Sequence, residues 1–163
     1  MIVVCDASPL IFLAKLNRLD LISPLLGPDV VVLKCVAAEV AEPEKAGEIE
    51  LRRLTVFLKS ARIVDFSESA YSPGRLSASD RQTLTYAVQQ QARWLLADER
   101  LMRRIATEEG LATIGTLGLL AAAVKNGHLT AKEALADIDA AVSKHGFRIS
   151  IALYQRFRAE MGG

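Results

Sequence analysis

Five short apolar runs recur along this chain, separated by longer stretches with helical spacing, and few architectures accept that alternation. Ile2–Cys5, Val30–Leu33, Arg62–Phe66, Trp94–Ala97 and Ala112–Ile114 are each too brief for a helix. Most are apolar at successive positions, as strands buried on both faces are. The stretches Ser8–Lys15, Leu19–Leu26, Lys34–Ala41, Lys45–Leu58, Ser79–Gln91, Leu101–Glu109 and Thr116–Asn126 read as helices, followed by Ala131–His145 and Ser150–Met161. Strands alternating with helices predict an α/β fold built on a parallel sheet. Gly146 suits a left-handed cap after the first of the two final helices. Tyr71-Ser72-Pro73-Gly74 is a turn signal near the middle, too short for a domain linker. One domain over residues 1–163 is therefore expected.

Composition narrows the class. At 51% apolar and 24% charged residues, the chain can fill a hydrophobic core without disulfides. Cys5 and Cys35 lie in apolar stretches without metal-ligand spacing and are expected as buried thiols. A formal net charge of +1 gives neither a basic nucleic-acid-binding tail nor a reason to expect an acidic partner. Local basic clusters can still supply phosphate contacts. No run reaches the roughly 20 apolar residues of a membrane span. Asp6 interrupts the first apolar run too early for a signal peptide, so a cytoplasmic protein is expected.

Acids stand where the chemistry of such a fold is found. Asp6 ends the first strand and Asp98 follows the fourth, and open parallel sheets bind ligands beyond the carboxyl ends of their strands. Glu39 in VAAEV and Asp80 in LSASDRQTLTYA lie between them. Each has an ordinary reading as well. Asp6 suits an Asx or N-cap interaction, and Asp80 completes a capping-box pattern with Ser77. Asp98 can cap the helix that starts near Arg100, and Glu39 can sit with Glu42 on a solvated face. Four acids without a catalytic Cys or His pattern point to hard divalent cations, since Mg²⁺ takes oxygen ligands and keeps several waters. Unneutralised, such acids repel one another and take up protons.

The stretches VVCDASPLIFLAKL, VAAEV, LSASDRQTLTYA and LLADERLMRRIATEEGLATIGTLGLLAAAVKNGHL, with GFRIS near the end, follow one another in an order that resembles the PIN domain. This is the nuclease-like fold of VapC-type toxins, and the likeness extends to a toxin-like PIN subfamily. It implies an α/β/α sandwich around a central parallel sheet of about five short strands. It also places Asp6, Glu39, Asp80 and Asp98 on the family's four acidic positions. The third departs from the Gly-Glu-Ala-Glu pattern frequent in that subfamily, reading Ser79-Asp80-Arg81-Gln82, with one shorter acid.

The resemblance implies a metal-dependent endoribonuclease that hydrolyses phosphodiesters with Mg²⁺ or Mn²⁺. Asp6 and Asp98 are expected as direct metal ligands, and Glu39 and Asp80 as ligands or water positioners. A bound metal lowers the pKa of water and polarises the phosphate it contacts. Ser8 and Thr116 are expected to support the carboxylates from behind, with helix capping as the ordinary alternative. Arg100, Arg103 and Arg104 share a helical face and are expected to contact RNA phosphates, or else form a solvated face. Ser8, Lys15 and Arg18 do not rank as substrate contacts. His128 and His145 follow helix ends, where histidine meets free carbonyls. The resemblance further implies a small cognate antitoxin protein and a homodimer.

Rival classes fit less well. A haloacid-dehalogenase-type phosphatase needs a second Asp where Ser8 stands, and a dinucleotide-binding domain needs a glycine-rich turn that ASPL does not supply. A catalytically weak or silent PIN-like module that binds RNA or protein is the remaining alternative, because fold does not imply function.

Overall fold

Val3–Cys5 forms β1, and every one of its residues is buried. Val30–Leu33 (β2) is buried throughout as well, and Trp94–Leu96 (β4) nearly so. β-branched and apolar side chains on both faces leave these three segments only one stable place, the middle of a covered sheet. Arg62–Val64 (β3) and Thr113–Ile114 (β5) are more exposed and occupy the two edges. In the computed structural model, which describes residues 1–42 and 44–162, all pairings are parallel and the strand order is β3-β2-β1-β4-β5.

Parallel neighbours require crossovers, and helices supply them. These are α1 (Ala7–Leu16), α2 (Ile22–Leu26), α3 (Lys34–Val40), α4 (Glu48–Ser60), α5 (Ala78–Gln89), α6 (Arg100–Glu108), α7 (Thr116–Lys125), α8 (Ala131–Lys144) and α9 (Ile151–Glu160). α1 packs with α3, α4, α7 and α8, while α5 packs with α6 and β1, so the sheet is flanked by helices. Leu10, Leu13, Leu33, Leu84, Leu95, Leu119 and Ile138 are among the largest side chains closed off from water between them. An Arg18–Asp137 ion pair of 2.7 Å, only partly exposed, fastens the end of α1 to α8.

The expected element order holds, with local differences. The expected helix Leu19–Leu26 is a 3₁₀ turn, Leu19–Leu21, running into the short α2. β3 stops at Val64 and exposes Arg62 and Ile63, because an edge strand is covered by a neighbour on one side only. Cys5 is buried as expected, but Cys35 is half-buried. Gly146 takes the left-handed conformation at φ +72°.

The strand order decides where chemistry can occur. From β1 the chain steps outward through β2 to β3, then returns to the other side of β1 as β4. That reversal makes the carboxyl ends of β1 and β4 a topological switch point, where side-chain loops diverge and leave a crevice.

Candidate active site

Cys5 pairs with Leu96 in register, so the two strands end level and Asp6 emerges beside β4. The Asp6 N–H donates to the Leu96 carbonyl at 2.9 Å, which holds the first acid at the switch point. Asp6 occupies the N-cap position of α1 but makes no capping bond with its side chain. It is only 3% exposed, and its Oδ1 has no hydrogen-bond partner. An unpartnered buried carboxylate oxygen costs stability unless something outside the chain satisfies it.

Glu39 reaches the same place from α3, which begins directly after β2, and is half-buried. Asp80 arrives on the first turn of α5, where its N–H donates to the Ser77 hydroxyl at 3.1 Å. Here the capping reading is correct for the backbone, while the side chain faces the crevice. Asp6, Glu39, Asp80 and Asp98 all line one cleft of about 810 Å³.

Three of them act on one another through their charges. Burial pushes the Asp6 carboxyl well above its ordinary value, the Asp80 and Glu39 charges push further, and the nearby Ala7 N–H opposes. Burial raises Glu39 too, then Asp80 adds to it while Lys45 works against it. Asp80 is raised by burial, held back by Ser77, and raised again by the charge of Glu99. Asp6 and Asp80 are close enough for one to donate to the other when protonated. Burial and neighbouring like charge both disfavour the ionised forms, a penalty that a nearby positive charge would relieve.

Asp98 stands differently. The Thr116 N–H donates to its Oδ1 and the Thr116 hydroxyl to its Oδ2, both at 2.7 Å. Burial raises its pKa, and these two bonds with the Arg103 charge lower it. The helix-capping alternative for Asp98 is not what the structure holds. Glu99 caps α6 instead, accepting from the Met102 N–H at 2.6 Å. Gly115 makes this corner possible, since a Cβ there would lie 2.7 Å from Asp98 Oδ1.

Oxygen donors, an orphaned Asp6 oxygen and mutually raised carboxyls fit a hard divalent cation. Among the described residues, no group of three or more His, Cys, Asp or Glu side chains is already arranged to hold a metal ion. An ion that retains several waters needs only one or two of the carboxylates directly.

Of the three arginines expected on α6, only Arg103 lines the cleft. Arg104 lies 4.0 Å from Glu108 on the exposed side, and Arg100 is exposed outside the cleft. Three- and four-residue spacing puts side chains on neighbouring strips of a helix, but long arginines then choose different partners. Ser8 lines the cleft, whereas Arg18 is committed to Asp137. His145 ends α8 with its pKa lowered by burial and by Lys15. Sequence reasoning missed the other cations of the cleft, Lys45, Arg148 and Arg156. GFRIS was a visible signal for Arg148. Nothing local marked Lys45 or Arg156.

A family model described as a PIN domain matches residues 2–163. No curated protein matches the chain. Among solved structures it is similar to a PilT N-terminus domain protein from the hyperthermophilic archaeon Sulfolobus solfataricus P2. That match has a TM-score of 0.55 and 18% identity, covering 77% of this chain and 95% of the other. At that identity the likeness concerns the fold alone.

Proposed function

This chain belongs to the PIN-domain family, and on that premise we propose that it is a metal-dependent endoribonuclease, the toxin of a toxin–antitoxin pair. PIN domains are generally nucleases and typically use divalent metal ions. The observation that carries the reading here is the orphaned Oδ1 of buried Asp6, in a cleft where burial, then the charges of Asp80 and Glu39, raise its pKa. Asp6, Glu39, Asp80 and Asp98 are the residues that would hold Mg²⁺ or Mn²⁺. Asp98, clasped by Thr116, contributes its charge and a fixed position. When bound, the cation neutralises these acids and polarises the scissile phosphate.

The side chains divide the remaining work. Asp80, half-buried in the cleft, is placed to take the proton of the water that attacks phosphorus, while the P–O bond to the departing ribose oxygen breaks and that oxygen takes up a proton from solvent. Arg103, beside Asp98 at the cleft edge, balances charge on the phosphate. Thr116 fixes Asp98 and leaves it little freedom to turn away.

The second reading is a silent module that binds RNA or protein. It is favoured by the altered third acidic position, Ser79-Asp80-Arg81-Gln82, with its single shorter acid. RNA incubated with pure protein separates the two. Cleavage that needs Mg²⁺ or Mn²⁺, stops with chelator and disappears in Asp6→Asn supports the enzyme. A folded chain that cuts no RNA with either metal supports the module. The toxin role adds two expectations: growth arrest relieved by a small protein from a neighbouring reading frame, and a homodimer by sedimentation.

A further inference from the structure

The cleft has a second wall, and it is made by the end of the chain. Phe147, Arg148, Arg156 and Phe157 line the same cleft as Asp6, Glu39 and Asp80. Phe157 is buried and anchors α9, so this wall is part of the packed structure. Phe12 and Phe147 meet edge to face, with centroids 4.9 Å apart and planes at 85°. Both rings line the cleft and both are half-buried.

The cations of this segment are not equivalent. Arg158 is turned toward Asp139 and Tyr154, at 3.4 and 3.2 Å. Arg148 and Arg156 are exposed, line the cleft, and form no ion pair among the described residues. Glu160, one turn beyond Arg156, also lines the cleft and offsets part of its charge, leaving Arg148 and Arg156 as the cations of this wall. A polyanion approaching Asp6, Glu39 and Asp80 is repelled unless cations hold it nearby.

We infer that this wall is the strand-holding subsite: Arg148 and Arg156 grip backbone phosphates of a single-stranded nucleic acid, and the Phe12–Phe147 pair receives one unstacked base. The inference rests on the nuclease reading and extends it to residues that touch none of the acids. Free cations beside aromatic faces are the arrangement that holds single strands, because every unpaired base offers a π-face and every nucleotide a phosphate. A duplex hides its base faces in its own stack, so it gains only the phosphate contacts.

Fluorescence anisotropy with a labelled single-stranded RNA oligonucleotide tests this. The full chain carrying Asp6→Asn, in Mg²⁺, serves as the uncut reference. Adding Arg148→Ala and Arg156→Ala should weaken binding about tenfold or more. It should also reduce the log–log salt slope by roughly 0.7 for each of two lost phosphates. Phe147→Leu should cost roughly fivefold or more in affinity with the slope unchanged. An RNA duplex of the same length should bind more weakly than the single strand. Unchanged affinity and slope in the double-arginine variant, or a duplex bound as tightly as the single strand, overturns the subsite. Circular dichroism melting confirms that each variant is folded. Binding is read without cleavage, so wild-type protein that cuts nothing would remove the nuclease reading and leave this result to stand or fall by itself.

Discussion

Thr116 clasps Asp98 with two bonds, its N–H to Oδ1 and its hydroxyl to Oδ2, both at 2.7 Å. The clasp ties the end of β4 to the first turn of α7, where the helix dipole also favours a carboxylate. An asparagine can keep both contacts, accepting from the N–H and donating to a rotated Thr116 hydroxyl. Asp98→Asn should therefore fold with little loss of melting temperature yet lose cleavage. Asp98→Ala should also lose about 1–3 kcal/mol, because Thr116 is left unpaired. Glu99→Gln keeps an oxygen for the Met102 N–H and should retain most activity. Melting curves and RNA cleavage assays on the three variants decide it, and an active Asp98→Asn enzyme would contradict the assignment.

Gly115 is needed for space and not for its backbone angles, since its φ of −110° suits any residue. A Cβ there would sit 2.7 Å from Asp98 Oδ1 and 3.2 Å from the Ala97 carbonyl. Gly115→Ala should cost about 1–3 kcal/mol by overpacking and displace Asp98. Chemical denaturation measures the first effect and cleavage the second. Wild-type values for both would mean the corner relaxes freely.

Asp6 is buried with one oxygen unpartnered, so a cation should stabilise the chain through it. At a hundred times its dissociation constant a bound metal adds about 2.7 kcal/mol. Wild-type protein should melt higher in Mg²⁺ or Mn²⁺ than in chelator. Asp6→Asn removes the buried charge, so its melting temperature in chelator should equal or exceed that of wild type, with the metal-induced rise reduced. An unchanged metal response in the variant would place the ion elsewhere.

The pH dependence of the metal-free protein has an uncommon sign. Asp6, Glu39, Asp80 and Asp98 all have folded pKa values above their ordinary ones, chiefly through burial. The folded state therefore binds more protons than the unfolded state once pH exceeds the ordinary carboxylate values near about 4. Their contribution is most favourable at or below that pH and is lost as pH rises through the folded values. In chelator, the melting temperature should rise on going from neutral to mildly acidic buffer. Asp6→Asn should flatten that rise, and saturating Mg²⁺ should reduce it by stabilising the ionised form. A melting temperature that falls steadily with acidification in chelator would refute the coupling.

The α/β class and nearly all of the elements could be read from the sequence, because short β-branched runs and amphipathic stretches impose their periods locally. The place of Asp6 in the cleft was legible for the same reason: a strand that ends in an acid places that acid at the sheet's carboxyl edge. What local pattern could not determine was which strands become neighbours. The order β3-β2-β1-β4-β5 brings Asp6 beside the end of β4 and sets Glu39 and Asp80 around it. That order depends on burying β1, β2 and β4 together, a property of the whole core. The partners of long side chains were likewise settled only in three dimensions. Arg103 turns toward Asp98 while Arg104 turns toward Glu108, although the two are adjacent in sequence. Arg148, just before α9, and Arg156, on it, line the cleft although they are distant from its acids in sequence, and the burial of Phe157 holds α9 to the core.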